Sequence, residues 1–114
     1  MRHAKATWLW FDPWSVSAYT CAADTGLPRH RHIAEPCHLT IVAAGAVEVT
    51  TYDMAGNPVR TQTYAAPAII DYDNGTETHH QLRATVDGTV FYNLPRLRNT
   101  EALRQVAEAL GVIE

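Results

Sequence analysis

Six histidines stand against two cysteines in this 114-residue chain, and five of the six fall in two short clusters. In the first, Arg29-His30-Arg31-His32, an extended backbone puts His30 and His32 on one face and the two arginines on the other. Their Cα atoms then lie about 6.5–7 Å apart, and both rings can reach one ion through metal–nitrogen bonds of about 2.0–2.1 Å. His38 opens the next strand, with Thr40 and Val42 on its face. The second cluster, Thr78-His79-His80-Gln81-Leu82, divides by the same alternation. His80 shares a face with Leu82, Ala84 and Val86 and is expected to point inward, whereas His79 goes with Gln81, Arg83 and Thr85 and is expected to face solvent. His3 lies outside both clusters. Three or four imidazoles around one cavity are costly to bury unless an ion or water takes up their lone pairs. Ligation dominated by histidine favours Fe, Mn, Ni, Cu or Zn over Ca or Mg.

The remaining reactive or aromatic groups have simpler expectations. Cys21 and Cys37 are too few for a zinc ribbon, and in the reducing cytoplasm expected for this chain they stay unpaired. Cys37 precedes His38, so it is expected on the opposite face as a structural thiol. Trp8, Trp10 and Trp14 are expected to anchor the core or a dimer interface. Tyr72 and Tyr92 are candidates to reach the cavity as hydrogen-bond donors beside a metal.

Positioning these groups falls to strands. Period-two alternation recurs along most of the chain: Thr7 to Phe11, Val16 to Cys21, Leu39 to Ala43, Ala46 to Tyr52, Val59 to Tyr64, and a short run from Ile69 to Tyr72. Turn signals separate them at Gly45, at Ala55-Gly56-Asn57-Pro58 and at Asp73-Asn74-Gly75. Gln81 to Val86 and Thr89 to Leu94 flank Asp87-Gly88, which predicts a hairpin closed by a two-residue turn. After Pro95 the period changes. Asn99 or Thr100 caps a helix with an apolar stripe of Leu103, Val106, Ala107 and Leu110, stopped at Gly111. Roughly eight or nine short strands with one terminal helix predict a sandwich or barrel in a single domain.

Composition narrows the partners. With 46% hydrophobic and 18% charged residues the chain has the makings of a globular core. Nine cations are scattered rather than striped, against twelve acidic residues and a net charge of -3, so no nucleic-acid partner is expected. No apolar run approaches the ~18 residues of a spanning helix, so no membrane partner is expected either.

On these residues the sequence resembles the cupin superfamily. Gly26-Leu-Pro-Arg-His30-Arg-His32, followed by His38 and, after six intervening residues, Gly45, is similar to the first cupin motif. Pro67 to Leu82, ending in Gly75-Thr-Glu-Thr-His-His80, is similar to the second. The resemblance covers roughly residues 15 to 94. Its departures are local: the position of the family's metal-binding Glu falls on His38, with Glu35 as a second candidate in the connection, and Ala84 stands where the second motif ends in Asn. Some metal cupins, thiol dioxygenases and diketone-cleaving enzymes among them, use histidines alone.

The resemblance implies an all-β jelly-roll (double-stranded β-helix) barrel over about residues 7–94 with a short C-terminal α-helix over about 100–110. It also implies a divalent transition metal held by His30, His32, His38 and His80, with His38 a ligand or a neighbour of the ligands. Imidazoles bring no negative charge, so such a site favours an anionic or enolate substrate chelating through two oxygens. The expectation is a metal-binding cupin acting as a dioxygenase-like enzyme on a small organic substrate. A non-catalytic module that binds or senses a small ligand is the alternative, as is a metal-dependent isomerase, cyclase or lyase. Small cupins commonly pair, so a homodimer through the aromatic N-terminal strand is expected.

Overall fold

In the computed structural model, residues 1–11, 14–30, 37–73, 79–95, 100–109 and 111 are described. Ten strands and one helix follow in chain order: β1 Arg2–His3, β2 Ala6–Phe11, β3 Trp14–Cys21, β4 Thr25–His30, β5 Cys37–Ala44, β6 Ala46–Tyr52, β7 Pro58–Ala65, β8 Ala68–Asp73, β9 His79–Ala84, β10 Thr89–Pro95 and α1 Thr100–Ala109. They form two five-stranded sheets, β1-β4-β9-β6-β7 and β2-β3-β10-β5-β8. Among the described strands, only β2–β3 and β6–β7 are hairpins of consecutive strands. Every other connection between consecutive described strands carries the chain from one sheet to the other, which makes the all-β jelly roll that the cupin resemblance implies.

The side chains between the sheets are those the alternation selects. Leu27, Val47, Val49, Leu82 and Ala84 from the first sheet meet Tyr19, Cys21, Val42, Ile70 and Phe91 from the second. The Tyr19 and Phe91 rings stack with centroids 4.8 Å apart. Ile41, one residue out of phase with Val42, belongs to the other face of its sheet, where Val16, Leu39 and Leu94 are also buried. That outer face needs a cover. The helix is the described element outside both sheets, and its Ala107 is fully sealed. No described helix is long and apolar enough to cross a membrane.

The predicted hairpin across Asp87-Gly88 does not form. Gly88 has the positive φ of 78° that the turn signal anticipates, yet β9 pairs with β4 and β6 while β10 pairs with β3 and β5. Both strands are central in their sheets, so two neighbours each outweigh one local pairing. The Thr85–Gly88 link is a crossing, fastened by Thr85 N–H to the Ala46 carbonyl and Gly88 N–H to the Cys21 carbonyl. Gly45 makes a second crossing. Its φ is +72°, and a Cβ there would come within 2.3 Å of Thr89 Oγ1, so both conformation and space demand glycine.

Candidate metal centre

His30 and His80 face each other between the sheets. The register pairs their Cα atoms across β4 and β9. Their rings meet edge to face at a centroid distance of 4.5 Å, with the two Nε2 atoms 3.1 Å apart. His80 is buried, and it shares its face with Leu82 and Ala84 as alternation requires.

His30 reaches that face by a device the alternation does not contain. Leu27 and His30 are three residues apart, which in a regular strand would put them on opposite sides. The register instead shifts between Leu27 and His30, so that Leu27 stands opposite Leu82 and His30 opposite His80. A β-bulge over Pro28 and Arg29 absorbs the extra residue and turns both side chains inward. Close approach of β4 to β9 is allowed just before it by Gly26, where a Cβ would lie 2.0 Å from the Leu82 carbonyl oxygen.

The protonation state follows from the surroundings. His30 Nδ1 donates to the Pro28 carbonyl at 2.7 Å, leaving Nε2 as the lone-pair nitrogen of the neutral ring. Burial pushes the His30 pKa below the usual histidine value. The Pro28 bond opposes that shift, and nearby positive charge on His3 or His79 reinforces it. Burial thus favours the neutral form of His30, whose Nε2 is turned towards His80. Two imidazole nitrogens 3.1 Å apart match ligands of one ion at about 2.0–2.1 Å each, subtending about 100°. A backbone carbonyl fixing the far nitrogen is the usual way a ligating histidine is oriented. The donor pair thus fits a borderline transition metal. Among the described residues no group of three metal-binding side chains assembles.

The other anticipated residues divide as follows. His32 and Glu35 lie outside the described residues. The backbone of His38 sits in β5, in register with Tyr72 of β8 and Pro95 of β10. The side chains of His38, Tyr72, Cys37, Trp8, Trp10 and Trp14 lie outside the described residues. Tyr92 is a correction: Phe91 and Asn93 point inward, so Tyr92 between them is directed to the outer face and does not reach the cavity. His79 does face outward, in register with Tyr52, but it is half-buried and its Nδ1 is sealed without a hydrogen-bond partner. His3 is exposed on β1, with Nδ1 bonded to the Ala4 carbonyl. Cys21 is a buried thiol whose pKa is raised by that burial, against a hydrogen bond with Thr25.

Two inward polar residues were not singled out from the sequence. Thr40 Oγ1 donates to Asn93 Oδ1 at 2.7 Å, and both side chains are buried on the inner face of the second sheet. The signal was present in β10: Asn93 interrupts an otherwise apolar run, in phase with Phe91.

No protein-family model and no curated protein matches the sequence. Solved structures do. KdgF from Halomonas sp. is similar over 85% of this chain and 81% of its own, with a TM-score of 0.65 at 13% identity. An RmlC-like cupin protein from Desulfovibrio desulfuricans is similar over 82% and 83%, with a TM-score of 0.57 at 17% identity. Hydroxypropylphosphonic acid epoxidase from S. wedmorenis, in complex with fosfomycin, is similar over 79% of this chain, which spans 49% of that larger one, with a TM-score of 0.62 at 11% identity. Identities this low speak for architecture, and the architecture is shared along about four fifths of the chain: this protein has the cupin fold.

Proposed function

We propose that the protein is a metal-binding cupin whose site holds a divalent transition metal through His30 and His80, with His32 and His38 completing the ligand set, and that it acts on a small organic substrate in an oxygenase-type reaction. The observation that carries this reading is the 3.1 Å approach of two inward Nε2 atoms, one of them fixed in its lone-pair form by the Pro28 carbonyl. Structures of the similar epoxidase HppE described with Fe(II) and with Co(II) support a divalent ion in a barrel of this kind. When bound, such an ion supplies Lewis acidity and, as iron, the redox chemistry that oxygenation needs. The chain's own contribution is to hold two imidazoles in place and to line the space beside them with Leu82, Val49 and Val42, which exclude water and limit substrate size. A homodimer through β2 is part of the proposal, supported by the position of β2 at a sheet edge; a monomer by light scattering rejects it.

Elemental analysis of protein purified without added metal tests the reading. The expected result is one transition metal per chain, or stoichiometric uptake after reconstitution with Fe(II), together with loss of most of that metal in His30→Ala. Absence of metal after both treatments overturns the proposal, and unchanged metal content in His30→Ala removes that residue from the site. Oxygen consumption by the iron-loaded protein separates an oxygenase from an isomerase or a binding module.

A further inference from the structure

Three buried polar side chains, Asn93, Ser17 and Thr40, stand on the sheet facing His80 and at its level. From the Thr85–Gly88 crossing, β9 runs back through Ala84 and Leu82 to His80, and β10 runs forward through Thr89 and Phe91 to Asn93. Ala84 and His80 are four positions apart, and so are Thr89 and Asn93. At about 3.3 Å per residue, both side chains stand roughly 13 Å above the crossing, on facing sheets. Asn93 is in register with Ser17 on one side and Thr40 on the other, and all three are buried, at 6%, 5% and 0% exposed. One level down the inner residues are Leu82, Val49, Tyr19, Phe91 and Val42, all members of the hydrophobic core.

Hydrogen bonding gives the Asn93 amide a direction. Thr40 donates to its Oδ1, which leaves the two N–H groups of Nδ2. Among the described residues nothing accepts from that nitrogen. An amide whose acceptor end is held and whose donor end is left open is a recognition element for an acceptor oxygen.

We infer that Asn93, oriented by Thr40, is a specificity-determining residue that donates to an oxygen of a small oxyacid whose remaining oxygens lie at the His30–His80 pair. The inference rests on the metal reading for the far end of the ligand only. Its ligand class is an acid with two oxygen-bearing ends, such as a dicarboxylate or keto acid; an amine in place of the second end would face the donor edge of Asn93 and is disfavoured.

The test is calorimetric titration of metal-loaded protein with acetate, oxalate, malonate and succinate, comparing the parent chain with Asn93→Asp and Thr40→Val. Asn93→Asp keeps the size and the bond from Thr40 but turns the donor edge into a carboxylate. At least one dicarboxylate is expected to bind the parent more tightly than acetate does. Asn93→Asp should weaken it by about ten- to a hundredfold, the range for losing a hydrogen bond to a charged group, with metal content unchanged. Thr40→Val should weaken it by a smaller factor. Equal affinity in the parent and in Asn93→Asp, or no dicarboxylate binding to the parent, overturns the inference while leaving the metal reading intact. A parent that takes up no metal overturns the metal reading; the same titration on metal-free protein then decides Asn93, by whether Asn93→Asp abolishes the binding. Circular dichroism of each variant confirms that lost affinity is not lost fold.

Discussion

The two faces of strand β9 solve opposite electrostatic problems with neighbouring residues. Inward, His80, Leu82 and Ala84 are sealed between the sheets; outward, His79, Gln81 and Arg83 are half-buried. Arg83 is held by carboxylates: Nε and Nη2 bond the two oxygens of Glu48 at 3.2 and 3.1 Å, and Nη1 meets Asp24. Those acceptors raise its pKa, so the outer face fixes a charge. The inner face removes one, since burial lowers the pKa of His30, the partner of His80. The polarity described inside the barrel is that of imidazole, hydroxyl and amide groups, and the carboxylates that pair Arg83 stay outside where water screens them.

That contrast can be broken at each point. Leu82→Ala empties the centre of the inner face and should cost about 2–5 kcal/mol in denaturant unfolding; a loss under about 1 kcal/mol would mean the interior is not packed around this residue. His80→Ala should lower the affinity for Co(II), followed by its visible absorption, by at least about a hundredfold, since even the loss of a group that merely orients a ligand costs 10–100-fold. His79→Ala should leave that affinity within about twofold, and equal losses in the two variants would erase the distinction between the faces.

Acidification sharpens the comparison. Above about pH 6.5 His30 is neutral in both folded and unfolded chains, and the group contributes nothing. Below it the unfolded chain binds a proton that the folded chain resists, so stability falls as pH drops from about 6.5 towards the lowered folded value, by at most about 1.4 kcal/mol per pH unit. Thermal unfolding at pH 7.5 and 5.5 should show this, with a smaller difference in His30→Gln; an identical difference would assign the effect to other groups. Arg83→Ala should cost the least, within about 1 kcal/mol, because the bridge is partly solvated, and the cost should shrink further in 0.5 M salt.

Much of this was legible along the chain. Strand positions follow from alternation and turn residues, and the helix over Thr100–Ala109 ends before Gly111, whose φ of 75° suits a helix stop. The inward phase of His80 was readable because Leu82 and Ala84 share it. Asp87-Gly88 misled because its positive-φ glycine describes a bend and does not say which strands pair on either side. Tyr92 could not be placed until the phase of Phe91 was known.

What the sequence by itself determined was the local part: which segments are extended, where they bend, and which residues alternate within a strand, all set by neighbouring side chains and backbone dihedrals. Only the tertiary structure decided which sheet each strand joins, where the β4 bulge falls, and that His30 therefore meets His80 with Asn93 and Thr40 on the facing wall. Those outcomes depend on pairings between residues about fifty positions apart. No local pattern encodes them, because their energy comes from closing two sheets over one core.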